Sequence, residues 1–229
     1  DLAAILSNLS PGDILFIDEI HRLSKAIEEV LYPAMESGVL DIIIGKGPSA
    51  RTVQLDLPPF TLVAATTRVS LISAPLRSRF SGGTFRLDFY SDNEILKILE
   101  RSASVLGADT KRETLKEIAS RSRATPRTAN YLLKRARDLA QIEGDAISGE
   151  IVSRTFGLLD IDTLGLHGPD RQLLHAIVHK FNGGPVGLNT LAAATGEEMA
   201  TIEDVLEPYL IRQGLIERTP RGRVATASA

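Results

Sequence analysis

The 229-residue chain contains no cysteine, which excludes disulfides and thiolate metal sites and is compatible with a reducing cytoplasm, the location expected here. No apolar run approaches the roughly 18 residues that a membrane-spanning helix needs, and no charged-then-apolar leader opens the chain. Neither a membrane partner nor an exported protein is expected. Positive charge is not in excess either: 26 Lys and Arg against 29 Asp and Glu leave a formal charge of -3. That balance excludes a uniformly basic nucleic-acid coat, so any DNA contact must be local. An initiator methionine is also missing. Leu2, Ile5, Leu6 and Leu9 follow the i, i+3, i+4, i+7 pattern, so the chain opens inside an amphipathic helix and upstream sequence is expected.

What is present suffices for ordinary cores. With 43% hydrophobic and 24% charged residues, the length predicts about two domains, or three small ones. The organising stretch is Gly12 to Arg22. Ile14-Leu15-Phe16-Ile17, four large apolar residues in a row, predict a strand buried on both faces inside a parallel sheet. Asp18 and Glu19 follow at once, at the strand end where open α/β sheets hold their ligands. There Asp18 would orient Mg2+ and Glu19 would take a proton from an attacking water; as plain helix-starting acids they would only complement a helix dipole.

Ser24 can cap a helix running to about Met35, ended by Glu36-Ser37-Gly38. Val39 to Ile44 and Arg51 to Leu57 are β-rich arms around Gly45-Lys46-Gly47-Pro48-Ser49 and predict a hairpin. Ile42-Ile43-Ile44 breaks the alternation, which leaves an apolar face for a partner or for its own domain. Phe60 to Ala65 predict a second buried strand. It ends in Thr66-Thr67, where Thr67 can meet an attacking water or a terminal phosphate, or simply satisfy backbone. Ser73 and Pro75 start a short helix that carries Arg77 and Arg79, and Thr84 to Phe89 predict a third strand.

From Glu94 on, the period is helical. Ile95, Leu96 and Leu99, then Leu115 and Ile118, then Leu132, Leu133 and Ala136 mark three helices, and Ser148 caps a fourth. Thr125-Pro126-Arg127 is a helix start, with Arg127 either reading a nucleotide phosphate there or solvated. After a linker at Asp160 to Gly165, three helices and a hairpin predict a winged helix. Its tip carries Arg218, Arg221 and Arg223, whereas Glu197, Glu198, Glu203 and Asp204 make the would-be recognition helix acidic. A wing touching phosphates fits this charge distribution better than base reading in a major groove.

Leu15 to Arg22, Leu31-Tyr32-Pro33-Ala34-Met35-Glu36, Ala65-Thr66-Thr67-Arg68, Pro75 to Phe80, Thr125-Pro126-Arg127 and Arg218 to Arg223 together resemble the bacterial RuvB family, AAA+ motors of Holliday-junction branch migration. The resemblance covers essentially the whole chain. It implies an α/β fold: part of an AAA+ parallel-sheet domain at 1–91, a helical lid at 92–163 and a winged-helix head at 164–229. It implies Asp18 and Glu19 as the Walker B pair, with Asp18 the metal residue, Thr67 as sensor 1, Arg79 as an arginine finger reaching the neighbouring subunit, and Arg127 as sensor 2. It further implies Glu36, Ser37, Gly38 and Tyr90 around ATP and Arg218 and Arg223 on DNA. As partners it implies a homohexameric ring, RuvA on the 39–57 hairpin and RuvC resolvase as a further one. ATP and Mg2+ are the implied cofactors.

The departure from the family pattern is G-x-x-x-x-G-K-T, which occurs nowhere in the 229 residues; Gly45-Lys46-Gly47-Pro48 has neither its spacing nor its setting. A smaller one is Ser81, where the family pattern predicts glycine. The fragment alone is therefore expected not to hydrolyse ATP. The competing reading is a non-catalytic DNA-binding adaptor on a degenerate AAA+ scaffold.

Overall fold

The computed structural model describes residues 2–44 and 51–229, apart from the side chains of Ile43 and Ile44. The chain divides into two compact units, Asp1–Arg86 and Leu87–Ala229.

In the first unit, helix α1 (Leu2–Ser7) leads to strand β1 (Ile14–Ile17), helix α2 (Lys25–Glu36), strands β2 (Val39–Ile44), β3 (Arg51–Asp56) and β4 (Thr61–Ala64), and the short helix α3 (Ala74–Ser78). β1 and β4 pair in parallel, from Ile14 with Thr61 to Ile17 with Ala64, so both strands end at the same edge. β2 and β3 form the expected antiparallel hairpin; its turn at residues 45–50 lies outside the described residues. Leu6, Leu31, Ala34 and Leu40 are buried together, with Leu15, Ile17, Leu57 and Phe60 packed against them.

Two expectations fail in this unit. β1 is not buried on both faces: Leu15 and Ile17 turn to the core, while Ile14 is 69% and Phe16 58% exposed. Side chains on a strand alternate, so each face needs its own covering layer. Among the described residues β1 has one ladder partner, β4, and one packed face. Thr84 to Phe89 form no strand either. Leu87 is 92% exposed, and without a neighbouring ladder its β propensity has nothing to pair with.

The second unit begins with four helices, α4 (Asp92–Val105), α5 (Arg112–Ser120), α6 (Pro126–Glu143) and α7 (Gly149–Leu158). α4 opens on a capping box: Ser91 Oγ accepts from the Glu94 amide, and Glu94 accepts from the Ser91 amide at 2.8 Å. That backbone bond holds the Glu94 carboxyl below its usual range. Ile95, Leu99, Ile118, Leu132, Leu133, Ile151 and Phe156 fill one core, the positions that the 3.6-residue period selects.

The connection at Asp160 to Gly165 is a tied turn, not a loose linker. Asp162 Oδ1 accepts from the amides of Leu164 and Leu166, both at 2.9 Å, and Leu164 O accepts from the Tyr209 hydroxyl at 2.6 Å. Gly165 is obligatory there, with φ +74° and a Cβ position 2.8 Å from the Tyr209 oxygen. Beyond it lie α8 (Gly168–His175), continued by a π turn at Ala176–Lys180, and then α9 (Leu188–Thr195). The third helix of the head is built from α10 (Met199–Thr201), a π turn at Ile202–Leu206 and α11 (Glu207–Arg212), and β5 (Ile216–Thr219) and β6 (Gly222–Ala225) form the antiparallel wing. Three helices and a hairpin make the winged helix that the sequence predicts.

One seam joins the helical part to the winged part. The Arg123 guanidinium pairs with Asp170, donates through Nε to Gly165 O at 3.2 Å, and lies 4.3 Å over the Tyr209 ring. Arg123 and Ala124 both sit in the left-handed region, at φ 56° and 54°, a backbone cost of about 1–2 kcal/mol per residue that these contacts offset.

Candidate functional site

Because β1 and β4 run parallel, the residues just past their ends are neighbours. Glu19 follows β1 in the left-handed region, φ 51° and ψ 46°, an uncommon conformation for a residue with a Cβ. It turns the carboxylate towards the end of β4, where Glu19 Oε2 accepts from the Thr67 hydroxyl at 3.2 Å and faces the Thr67 amide at 3.5 Å. His21 Nδ1 closes the group, 3.1 Å from Glu19 Oε2 and 2.8 Å from Thr66 Oγ1. Asp18 is exposed, with Oδ1 accepting from the Glu19 amide at 3.0 Å. No set of three or more His, Asp or Glu among the described residues could hold a metal by itself. A single open carboxylate suits Mg2+, which takes one or two carboxylates and completes its shell with phosphate oxygens and water.

The structure gathers a second group around Arg79, which follows α3. Its Nη1 donates to Pro75 O at 2.7 Å, its Nη2 pairs with Glu36 Oε1 at 2.9 Å, and its guanidinium lies 4.3 Å over the Tyr32 ring. Glu36 ends α2, and Ser37 and Gly38 follow as its exit, Gly38 at φ 65°. In the other unit, Tyr90 lines a shallow cleft of about 210 Å³ with Phe89, Ala124, Thr125 and Pro126. Thr125 and Pro126 start α6 as predicted, although the Thr125 hydroxyl bonds Ser122 O and Thr128 Oγ1 instead of capping the helix. Arg127 is exposed in the first turn.

On the wing, Arg218 and Arg223 stand opposite each other across β5 and β6. Both pair with Glu207, a carboxylate that is 1% exposed, with Arg218 Nη2 2.6 Å from Oε2 and 3.0 Å from Glu203. The Arg218 guanidinium is held more firmly protonated by its bond to Glu207. Arg218 keeps 48% of its side chain in solvent and Arg223 only 12%. Arg221 is exposed at the tip. Gly222 makes this turn at φ +136°, where a Cβ would collide with the Val186 carbonyl.

Comparison with known proteins matches three sequence families end to end: the Holliday junction DNA helicase RuvB P-loop domain at residues 1–87, the RuvB AAA lid domain at 90–162 and the RuvB C-terminal winged helix domain at 163–229. The chain belongs to the RuvB family. Among solved structures, the Thermotoga maritima RuvB Holliday junction branch migration motor is 47% identical with a TM-score of 0.82, covering 100% of this chain and 72% of that one. A lysine-to-arginine mutant of the same Thermotoga maritima RuvB gives 48% identity and a TM-score of 0.83 over the same spans.

For a RuvB-family chain, sequence reasoning singled out Asp18, Glu19, Thr67 and Arg79 but missed their supports, His21, Thr66, Tyr32, Glu28 and Ser73. His21, Tyr32 and Thr66 stood inside the quoted motifs, and Ser73 was placed only as a helix start. The missing signal is long-range: Glu28 meets Ser73, and His21 meets Thr66, only once the strands and helices are assembled.

Proposed function

We propose that these residues belong to an ATP-driven motor subunit that moves the branch point of Holliday junctions as a homohexameric ring, with RuvA docked on the 39–57 hairpin and RuvC resolvase as a further partner in recombination and repair. The proposed divisions are 1–91, 92–163 and 164–229, and the proposed location is the cytoplasm. The observation that carries the reading is the pairing of Glu19 with Thr67 across the ends of two parallel strands. It puts a carboxylate and a hydroxyl where one water can touch both. Glu19 is the general base, Thr67 aligns the water, and Asp18 holds Mg2+, which supplies charge neutralisation at the phosphates.

Arg79 acts on the nucleotide of the neighbouring subunit, where such arginines are worth about 10^3 to 10^5 in rate. Glu36, Ser37, Gly38 and Tyr90 surround ATP, and Arg127 reads its phosphates at the start of α6. Arg218 and Arg223 contact DNA phosphates, Arg218 through its solvent-facing half. Residues 1–229 alone are proposed to be inactive, since they contain no G-x-x-x-x-G-K-T to cradle the β- and γ-phosphates. Glu19→Gln in the full-length protein tests the base: it retains ATP while turnover falls about 10^2- to 10^4-fold. Turnover at the unmodified rate would remove Glu19 from its role and favour the non-catalytic DNA-binding adaptor.

A further inference from the structure

Arg79 is held from more sides than a solvent-facing arginine requires. Three residues of α2, Glu28, Tyr32 and Glu36, recur every four positions and so share one face of the helix. That face meets α3 at both of its ends. Ser73, the N-cap of α3, donates to Glu28 Oε2 at 2.5 Å, and the Tyr32 hydroxyl donates to the same oxygen at 2.9 Å. At the far end of α3, the Arg79 guanidinium lies over the Tyr32 ring and pairs with Glu36.

The three contacts differ in permanence. Glu28 is buried, so its carboxylate depends on the Ser73 and Tyr32 donors, and losing either is costly. The Tyr32 ring, fixed by its own hydroxyl, is a rigid floor for a cation. Glu36, by contrast, keeps 55% of its side chain in solvent, and an exposed ion pair of that kind exchanges partners readily. Arg79 Nε is buried without a hydrogen-bond partner, so the guanidinium is not yet fully satisfied. A helix of only five residues cannot keep its direction unaided.

We propose that Tyr32 is the positioning residue for Arg79. Its ring carries the guanidinium, the Glu28–Ser73 bond fixes the ring and the start of α3 as one body, and Glu36 occupies the guanidinium until a phosphate of the neighbouring subunit's nucleotide displaces it. The proposal rests on the reading of Arg79 as an arginine that works across a subunit interface.

The test uses the full-length protein and steady-state ATP hydrolysis. Tyr32→Leu lowers kcat about tenfold with KM for ATP within about twofold, and Tyr32→Phe, which keeps the ring but gives up its bond to Glu28, recovers part of the rate. Mixing then separates a misplaced arginine from a misfolded subunit. Tyr32→Leu retains a sound base, whereas Glu19→Gln retains a sound Arg79, so a mixed ring regains up to about a quarter of the unmodified rate, the share of interfaces that join the two intact halves. Unmodified kcat in Tyr32→Leu overturns the proposal. So does a Tyr32→Leu protein that Glu19→Gln does not complement, because its defect then lies in its own nucleotide site or fold. Arg79→Ala mixed with Glu19→Gln is the control: failure of that pair to complement rejects the cross-interface reading of Arg79 instead of the role of Tyr32.

Discussion

The polar groups at the ends of β1 and β4 and those at the seam beside α8 are built to opposite specifications. Around Glu19, Thr67 is exposed, Asp18 is open to solvent, and the bonds are of ordinary length, 3.1 to 3.2 Å from Glu19 to His21 and Thr67. At the seam, Asp170 is 1% exposed and accepts from both Arg123 and the His167 amide. An exposed bond gives up little on changing partner, since water stands in for the lost group. A buried charge has no such substitute. The first arrangement suits groups that must exchange partners during a reaction cycle, and the second suits a joint that keeps the helical part and the wing together.

The sharpest way to break this contrast is to cut the seam. Asp170→Ala leaves Arg123 without its anion and the His167 amide without an acceptor, and is expected to cost about 3–5 kcal/mol, read as a lower midpoint in chemical denaturation. If the loss comes from an orphaned charge, Asp170→Leu combined with Arg123→Met restores much of it, and a double-mutant cycle measures the coupling. A cost within 0.5 kcal/mol, the range of an ordinary surface substitution, would remove the distinction. Glu207→Gln is the next largest, about 2–3 kcal/mol, since a neutral amide stays facing Arg223. On DNA the same substitution frees Arg218, and the salt dependence of binding is expected to steepen by up to about one unit.

The exposed group predicts the reverse pattern. Thr67→Val leaves stability within about 0.5 kcal/mol yet slows ATP hydrolysis by the full-length protein about ten- to a hundredfold, because one polar contact to the water is lost. A large fall in stability with normal hydrolysis would mean that Thr67 is a structural strand-end hydroxyl.

How far these two regions could be read in advance follows from the range of the forces that form them. The helices around Ile95, Leu115, Leu132 and Ile151 were legible because a period of 3.6 is a local property, and the cap at Ser148 is local as well, whereas the capping box at Ser91 went unread. The placement of Asp18, Glu19 and Thr67 just past strand ends was legible because a strand end is marked by apolar letters giving way to polar ones. The Arg123–Asp170 seam was not, since it joins residues 47 apart in sequence and no spacing rule marks either one. The third strand expected at Thr84 to Phe89 failed for a related reason: its letters favour a strand, but a strand exists only against a neighbour. The wing arginines were read as a basic tip touching phosphates, and the pairing of Arg218 and Arg223 with buried Glu207 depends on how the third helix of the head packs.

The smallest effect probes the seam through pH. His167 stands at the start of α8, and burial, with Arg123 and Arg171 adding to it and Asp170 and Asp160 opposing it, holds its imidazole below the usual range. In the folded chain the ring therefore stays neutral at a pH where the unfolded chain has bound a proton. Unfolding takes up that proton, so stability rises with pH in this window. It is fully present above the ordinary value near 6.5 and declines as pH falls through 6.5 towards the lower folded value. Denaturation midpoints for the second unit are expected to be lower at about pH 5.5 than at about pH 7.5, with His167→Gln flattening the difference. An unchanged slope in that variant would assign the pH dependence to other groups, Glu94 not among them, since its lowered carboxyl gives up stability only at more acid pH. The seam would then owe nothing to the protonation of its histidine.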